Sequence, residues 1–163
     1  QSADVIARGT LVSTDALVNE ALDRNRLAAE AKSIVLQAQV HYSGELYADP
    51  ELLGTALHNL VENAVRYSPE ETRVDLLVER EGDTLNISVT DQGAGIPEEE
   101  QARIFERFYR VDAARSRQTG GTGLGLSIVK HVMGQHGGQV SVQSVPGQGS
   151  TFTLSLPIAD TAV

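Results

Sequence analysis

The order of apolar and polar positions divides the chain into a small set of elements. Leu17, Ala21, Leu22 and Ala28 recur at helical spacing between charges, which predicts an amphipathic helix over residues 14–32. From Ser33 to Val40 the pattern changes to strict alternation, with Ile34, Leu36, Ala38 and Val40 on one side, as in a half-buried strand. A second helix is announced at Asp49 by an N-capping carboxylate, by Pro50 at the first helical position and by Glu51 near the positive end of the dipole. Its apolar residues come in pairs, Leu52/Leu53, Ala56/Leu57, Leu60/Val61 and Ala64/Val65, a four-residue step that marks a core-facing stripe.

A hairpin follows. Val74, Leu76 and Val78 alternate, Glu81-Gly82-Asp83 turns, and Leu85, Ile87 and Val89 alternate back. Residues 91–123 are rich in structure breakers and charges, so this long segment holds short helices at most, the kind of loop that is usually functional or mobile. A third helix is expected from about Gly123 to Gln135, stopped by Gly137-Gly138. Two strands close the chain, around Val140 and Val142 and then Phe152, Leu154 and Leu156, with a turn at Pro146-Gly147. Their alternate positions carry Ser, Thr and Gln. The expected fold is therefore a two-layer α/β sandwich, with a mixed, mostly antiparallel sheet of about five strands and three main helices on one face.

Composition narrows the function. With 163 residues, 40% hydrophobic and 21% charged, the chain is one ordinary globular domain. Its 13 basic and 22 acidic residues leave a net charge of −9, which argues against a general nucleic-acid binder. The absence of cysteine excludes disulfides, zinc–thiolate sites and a thiol nucleophile. No apolar run approaches the ~18 residues of a membrane span.

Four clusters carry candidate chemistry. On the second helix Asn59, Asn63, Arg66 and Tyr67 share one polar stripe, either a cation and phosphate ligand set or a solvated, locally capped face. In Asp91-Gln92-Gly93-Ala94-Gly95-Ile96-Pro97, Asp91 has the parity of Leu85, Ile87 and Val89, so its carboxylate points into the helix-covered side. Burial there is costly unless the group accepts hydrogen bonds, such as one from a base with an exocyclic amine. The motif is also compatible with a plain turn. Gly120-Gly121-Thr122-Gly123-Leu124-Gly125-Leu126 leads into the third helix and offers backbone amides to a polyphosphate, or else is a hinge. It lacks the Gly-Lys-Ser/Thr of a Walker A loop, the dinucleotide fingerprint and the protein-kinase signatures. Between these last two, Arg103, Arg107, Arg110, Arg115 and Arg117 gather five of the 13 basic residues beside Ile104, Phe105, Phe108 and Tyr109. That composition suits a cationic lid over an anionic ligand, or a docking surface for an acidic partner.

In this order the clusters resemble the four boxes of the catalytic, ATP-binding domain of sensor histidine kinases, in the Bergerat ATPase superfamily. His58 to Ser68 resembles the N box, Asp91 to Pro97 the G1 box, Ile104 to Arg110 the F box and Gly121 to Leu126 the G2 box. The likeness covers roughly residues 10–157, and the segment from Phe105 to Val132 is similar to phosphate-responsive kinases of actinobacteria. The resemblance implies ATP and Mg²⁺ as ligands. Asn63, with Asn59 near it, would hold the metal; Arg66 would contact phosphate and Tyr67 would pack near the base. Asp91 would accept from the adenine amino group, and Gly93, Gly95 and Ile96 would shape the base pocket. Gly121, Thr122, Gly123, Leu124, Gly125 and Leu126 would cradle phosphates. Arg110 would steady the charge on the γ-phosphate during transfer, and Phe105 and Phe108 would anchor the lid.

Hydrolysing members of the superfamily resemble a pattern with a glutamate, four residues before the metal-binding asparagine, as base for water. Here that position is Asn59, while Glu62 lies about 100° round the helix. Slow hydrolysis and a catalytic role in transfer are the implied consequence. None of His41, His58, His131 and His136 sits in a phosphoacceptor context, so the acceptor is expected on a separate helical dimerisation and phosphotransfer domain. The implied layout is a linker remnant at 1–9, the catalytic domain at 10–158 with a lid at about 97–122, and a tail at 159–163. The implied setting is the cytoplasmic portion of a membrane-anchored sensor, monomeric as a fragment, with a response regulator as indirect partner. Two alternatives remain at this point, a nucleotide-binding docking module without transfer and an ATPase of the chaperone or topoisomerase type.

Overall fold

The computed structural model describes residues 9–107, 109 and 125–158. In chain order these form β1 (Thr10–Ser13), α1 (Thr14–Ala31), β2 (Val35–Val40), β3 (Glu45–Ala48), α2 (Pro50–Tyr67), β4 (Arg73–Glu81), β5 (Thr84–Thr90), a 3₁₀ turn (Glu98–Glu100), α3 (Gly125–Gln135), β6 (Gln139–Val145) and β7 (Gly149–Pro157). The main sheet runs β2-β4-β5-β7-β6, with β2 and β4 parallel and every other pair antiparallel.

Local chemistry sets the helix ends. Asp49 caps α2 through Oδ1, which accepts from Glu51 N and Leu52 N at 3.1 Å, and Pro50 fills the first helical position. Ser13 caps α1 by accepting from Ala16 N at 3.2 Å. Beyond α3, Gly137 at φ +70 and the bond from Gly138 N to Met133 O at 2.8 Å close the helix as the glycine pair predicts.

One face of the sheet is buried. Val74, Leu76, Val78, Leu85, Ile87, Val89, Phe152, Leu154 and Leu156 all point inward and meet the paired residues of α2. Helix α2 lies over β4 and β5, flanked by α1 beside β2 and by α3 beside β6 and β7. Fully burying one such leucine contributes roughly 1.5–3 kcal/mol. The opposite face is polar, with Ser88 and Thr153 hydroxyls paired at 3.1 Å and those of Thr90 and Thr151 at 2.9 Å.

Three details depart from the sequence expectations. Ala28 is exposed; Ala29 is buried in its place, one turn on from the buried Asn25. Ala38 is exposed on β2, which is the edge strand of the sheet. An additional two-stranded ribbon, β1 with β3, pairs Leu11 with Tyr47 at the N-terminal side of α1.

Candidate functional site

Helix α2 carries the first part of the site. Asn59, Asn63, Arg66 and Tyr67 lie half-buried along it. Asn59 Nδ2 donates to Gly125 O at 3.3 Å, which ties this helix to the first residue of α3, with Leu126 packed against the core just beyond. Glu62 does not join the stripe. Its Oε2 stands 3.9 Å from both His58 Nε2 and Arg66 Nη2, one turn away on either side.

The second part is the loop after β5. Asp91 is buried, 8% exposed, as its strand parity predicts. Both of its backbone donors, Gly93 N at 2.8 Å and Ser150 N at 3.3 Å, bind Oδ1. Burial pushes its pKa above the ordinary carboxylate value, and the two amides pull it partly back. Gly93 and Gly95 allow close backbone approach. A Cβ on Gly93 would stand 2.8 Å from the Tyr67 carbonyl oxygen, and one on Gly95, at φ +79, would overlap that of Val145. The end of α2 and the loop are therefore in contact.

The turn between β6 and β7, expected at Pro146-Gly147, supports this loop, a contact that sequence reading missed. Ser144 Oγ accepts from Ile96 N at 2.7 Å and donates to Gly149 O at 3.0 Å, while Gly147 N donates to Ala94 O at 2.6 Å. Gly149 sits at φ +106 with no room for a Cβ against the Asp91 carbonyl. Gln101 Nε2 adds bonds to Ile96 O at 2.9 Å and Ser144 O at 3.1 Å. The available signal was Pro146-Gly147-Gln148-Gly149, two glycines around one strand turn. Next to Tyr67, at the C-cap of α2, Ser68 Oγ is buried without a hydrogen-bond partner among the described residues.

The third part is the start of the arginine-rich segment. Ile104 is buried, and Phe105 meets Phe152 edge-on with ring centroids 6.2 Å apart. The Tyr109 hydroxyl donates to the Glu100 carboxylate, which raises the tyrosine pKa, and the Arg103 guanidinium lies 4.6 Å over the Tyr109 ring. Phe108, Arg110, Arg115, Arg117, Gly120, Gly121, Thr122, Gly123 and Leu124 lie outside the described residues. Of the histidines, His41 and His131 are exposed, whereas His58 accepts from Asn25 Nδ2 at 3.1 Å and buried His136 accepts from Asp49 N at 3.1 Å.

A helix-covered sheet with a buried carboxylate at one strand end, a glycine loop beside it and the end of an asparagine-bearing helix packed against that loop defines a class. The chain belongs to the family of histidine kinase-, DNA gyrase B- and HSP90-like ATPases, whose model matches residues 48–160. Within that family its relatives are sensor histidine kinases. It is 46% identical over 157 residues to the sensor-like histidine kinase SenX3 of Mycolicibacterium smegmatis, covering 96% of this chain and 41% of that protein. The chain thus spans about two fifths of the length of such relatives. Among solved structures, the mycobacterial sensor histidine kinase MprB superposes with a TM-score of 0.81 at 30% identity, over 91% of this chain and 97% of that one. Full-length ShkA in complex with AMPPNP gives 0.81 at 30% identity, over 95% of this chain and 32% of that one. The mycobacterial relatives agree with the actinobacterial likeness of Phe105 to Val132. No helix among the described residues is long and apolar enough to cross a membrane.

Proposed function

We propose that residues 10–158 form the nucleotide-binding catalytic domain of a sensor histidine kinase. In this reading the domain binds Mg–ATP and passes the γ-phosphoryl group to a histidine on a separate helical dimerisation and phosphotransfer segment. Asp91 carries the proposal. Among the described residues both backbone amides bind Oδ1, which leaves Oδ2 for the exocyclic amine of an incoming adenine. Guanine presents an oxygen at that position, and two acceptors facing each other repel. GTP is therefore expected to bind at least about 100-fold more weakly than ATP.

The remaining roles are those the family resemblance implies for the matching residues. Gly93, Gly95 and Ile96 line the base side, with Tyr67 packing near the ring. Arg66 addresses phosphate. The glycine-rich run Gly121, Thr122, Gly123, Leu124, Gly125 and Leu126 would cradle the phosphate chain through its backbone amides, and Arg110 would meet the γ-phosphate. The amide oxygen of Asn63 suits Mg²⁺, a hard cation that takes few protein ligands and draws the rest from phosphates and water. When bound, the metal neutralises and orients the phosphates. In the transfer itself the acceptor imidazole nitrogen attacks the γ-phosphorus, and the bond to the bridging oxygen breaks with its electron pair leaving on ADP.

By the family resemblance, Asn59 takes the place of the glutamate that activates water in hydrolysing members, and an amide cannot take that proton. Hydrolysis is therefore slow and ATP is kept for the acceptor. The setting that accompanies this reading is the cytoplasmic side of a membrane-anchored sensor, with a response regulator receiving the phosphoryl group from the acceptor histidine. Incubating the domain with ATP and a helical segment bearing that histidine tests the proposal. Acid-labile, base-stable phosphate on the segment, with little phosphate released to water, is the expected result. A domain that binds ATP but hydrolyses it rapidly and labels no histidine contradicts the proposal.

A further inference from the structure

Helix α2 ends without a glycine. Its C-cap, Ser68, is extended and is followed by Pro69, which cannot continue the helix. The carbonyls at a helix end need donors from elsewhere, and here two come from another helix. The Lys32 ammonium donates to Val65 O at 2.9 Å and to Arg66 O at 3.0 Å. Its charge also sits at the negative pole of α2.

The anchor for this ammonium is stiff. Lys32 is the C-cap of α1, and the chain beyond it closes through Ser33 N to Glu30 O at 3.0 Å and Ile34 N to Ala29 O at 2.8 Å. Ser33 is held at φ +54 to do so. The loop leaving α2 returns to the same point, where Glu71, at φ +63, donates its N–H to Lys32 O at 3.0 Å. Among the described residues these are the only non-glycine positions with positive φ, and both lie at this junction. Such backbone costs free energy and persists only where its surroundings over-determine it.

Arg66 and Tyr67 are the last two residues of α2, and the Tyr67 carbonyl faces Gly93 across the site. We infer that Lys32 is a positioning residue of the nucleotide site: it holds the last turn of α2 in register with the loop Asp91–Pro97, so that Arg66 and Tyr67 meet a bound nucleotide that Lys32 itself does not touch. This inference rests on the nucleotide reading of the site.

The test is Mg–ATP titration by calorimetry, with a melting curve for each protein. Lys32→Met keeps the aliphatic stem and removes the charge, Lys32→Gln keeps one amide donor, and Lys32→Arg keeps a cationic donor. Val18→Ala truncates a fully buried side chain elsewhere on α1 and controls for lost stability. Lys32→Met and Lys32→Gln should weaken ATP binding about tenfold, and Lys32→Arg should return it to within about threefold of wild type. Val18→Ala should lower the melting temperature and leave affinity unchanged. Wild-type affinity in a folded Lys32→Met or Lys32→Gln protein overturns the inference, as does an equal loss in Val18→Ala. A wild-type protein that does not bind ATP overturns the nucleotide reading and this inference with it.

Discussion

Two buried aspartates, at the start of α2 and at the end of β5, make an instructive pair. Asp49 is 6% exposed and Asp91 8%. Each accepts two backbone amides through Oδ1, from Glu51 and Leu52 in one case and from Gly93 and Ser150 in the other. What lies behind the amides differs. Asp49 faces the positive end of an 18-residue helix, worth roughly half an elementary charge. Asp91 ends a strand, where net dipoles are small, and its donors come from a glycine turn and a neighbouring strand. Burial accordingly lifts the Asp91 pKa. The first carboxylate is consumed by its helix, while the second is kept in an unfavourable place. A charge retained against its own solvation, in a loop built of glycines, supports the adenine-binding role proposed for Asp91.

The largest expected effect comes from removing the space around Asp91. Gly149→Ala places a Cβ against the Asp91 carbonyl at a left-handed φ, and should cost about 2–4 kcal/mol in denaturant unfolding. It should weaken ATP binding as well. A cost below about 0.5 kcal/mol would mean that the β6–β7 turn does not shape the loop. Asp49→Ala comes next. Loss of the cap should cost about 1–2 kcal/mol, with ATP affinity kept within about twofold. A large affinity loss there would erase the contrast between the two carboxylates.

The smallest effect is a pH dependence. Burial, and then the charge of Arg24, hold the His58 pKa below its ordinary 6.5, against opposing pulls from Glu62 and Glu20. Asn25 Nδ2 donates to both Ala21 O and His58 Nδ1, so the ring nitrogen there must accept. Between 6.5 and the lower folded value the unfolded chain holds more protons, so stability falls on acidification through that window. Melting curves below pH 6.5 should decline less steeply for His58→Gln, and parallel curves would contradict the assignment. Asp91 acts with the opposite sign. Between 3.8 and its raised folded value the folded state holds more protons, so its contribution grows as pH falls and disappears in Asp91→Asn.

Much of this was legible in the sequence where the physics is local. Asp49-Pro50 fixes the start of α2 to the residue, because capping and proline geometry act within one turn. The period-two pattern of β4 and β5 gave the hairpin, and the same parity placed the Asp91 carboxylate on the buried side. The ribbon of β1 and β3 escaped notice because four residues per strand cannot establish an alternation, and each partner lies more than 30 residues from the other. Ser144, Gly149 and Ser150 were missed for a related reason. They meet the Asp91–Pro97 loop only through strand order, with Ser150 lying 59 positions after Asp91. Lys32, 33 residues before the carbonyl it caps, belongs to the same group.

The most direct test is a calorimetric titration of Mg–ATP into wild type, Asp91→Asn and Asp49→Asn in parallel. Asparagine can keep Oδ1 as the acceptor for the backbone amides at both positions, while the charge is lost and Oδ2 becomes an NH₂ donor, which faces the adenine amine only at position 91. The account predicts one-to-one binding to wild type and to Asp49→Asn within about twofold of each other, and at least ~100-fold weaker binding to an Asp91→Asn protein that melts no lower than wild type. Equal binding by all three, or an equal loss in both variants, would contradict it.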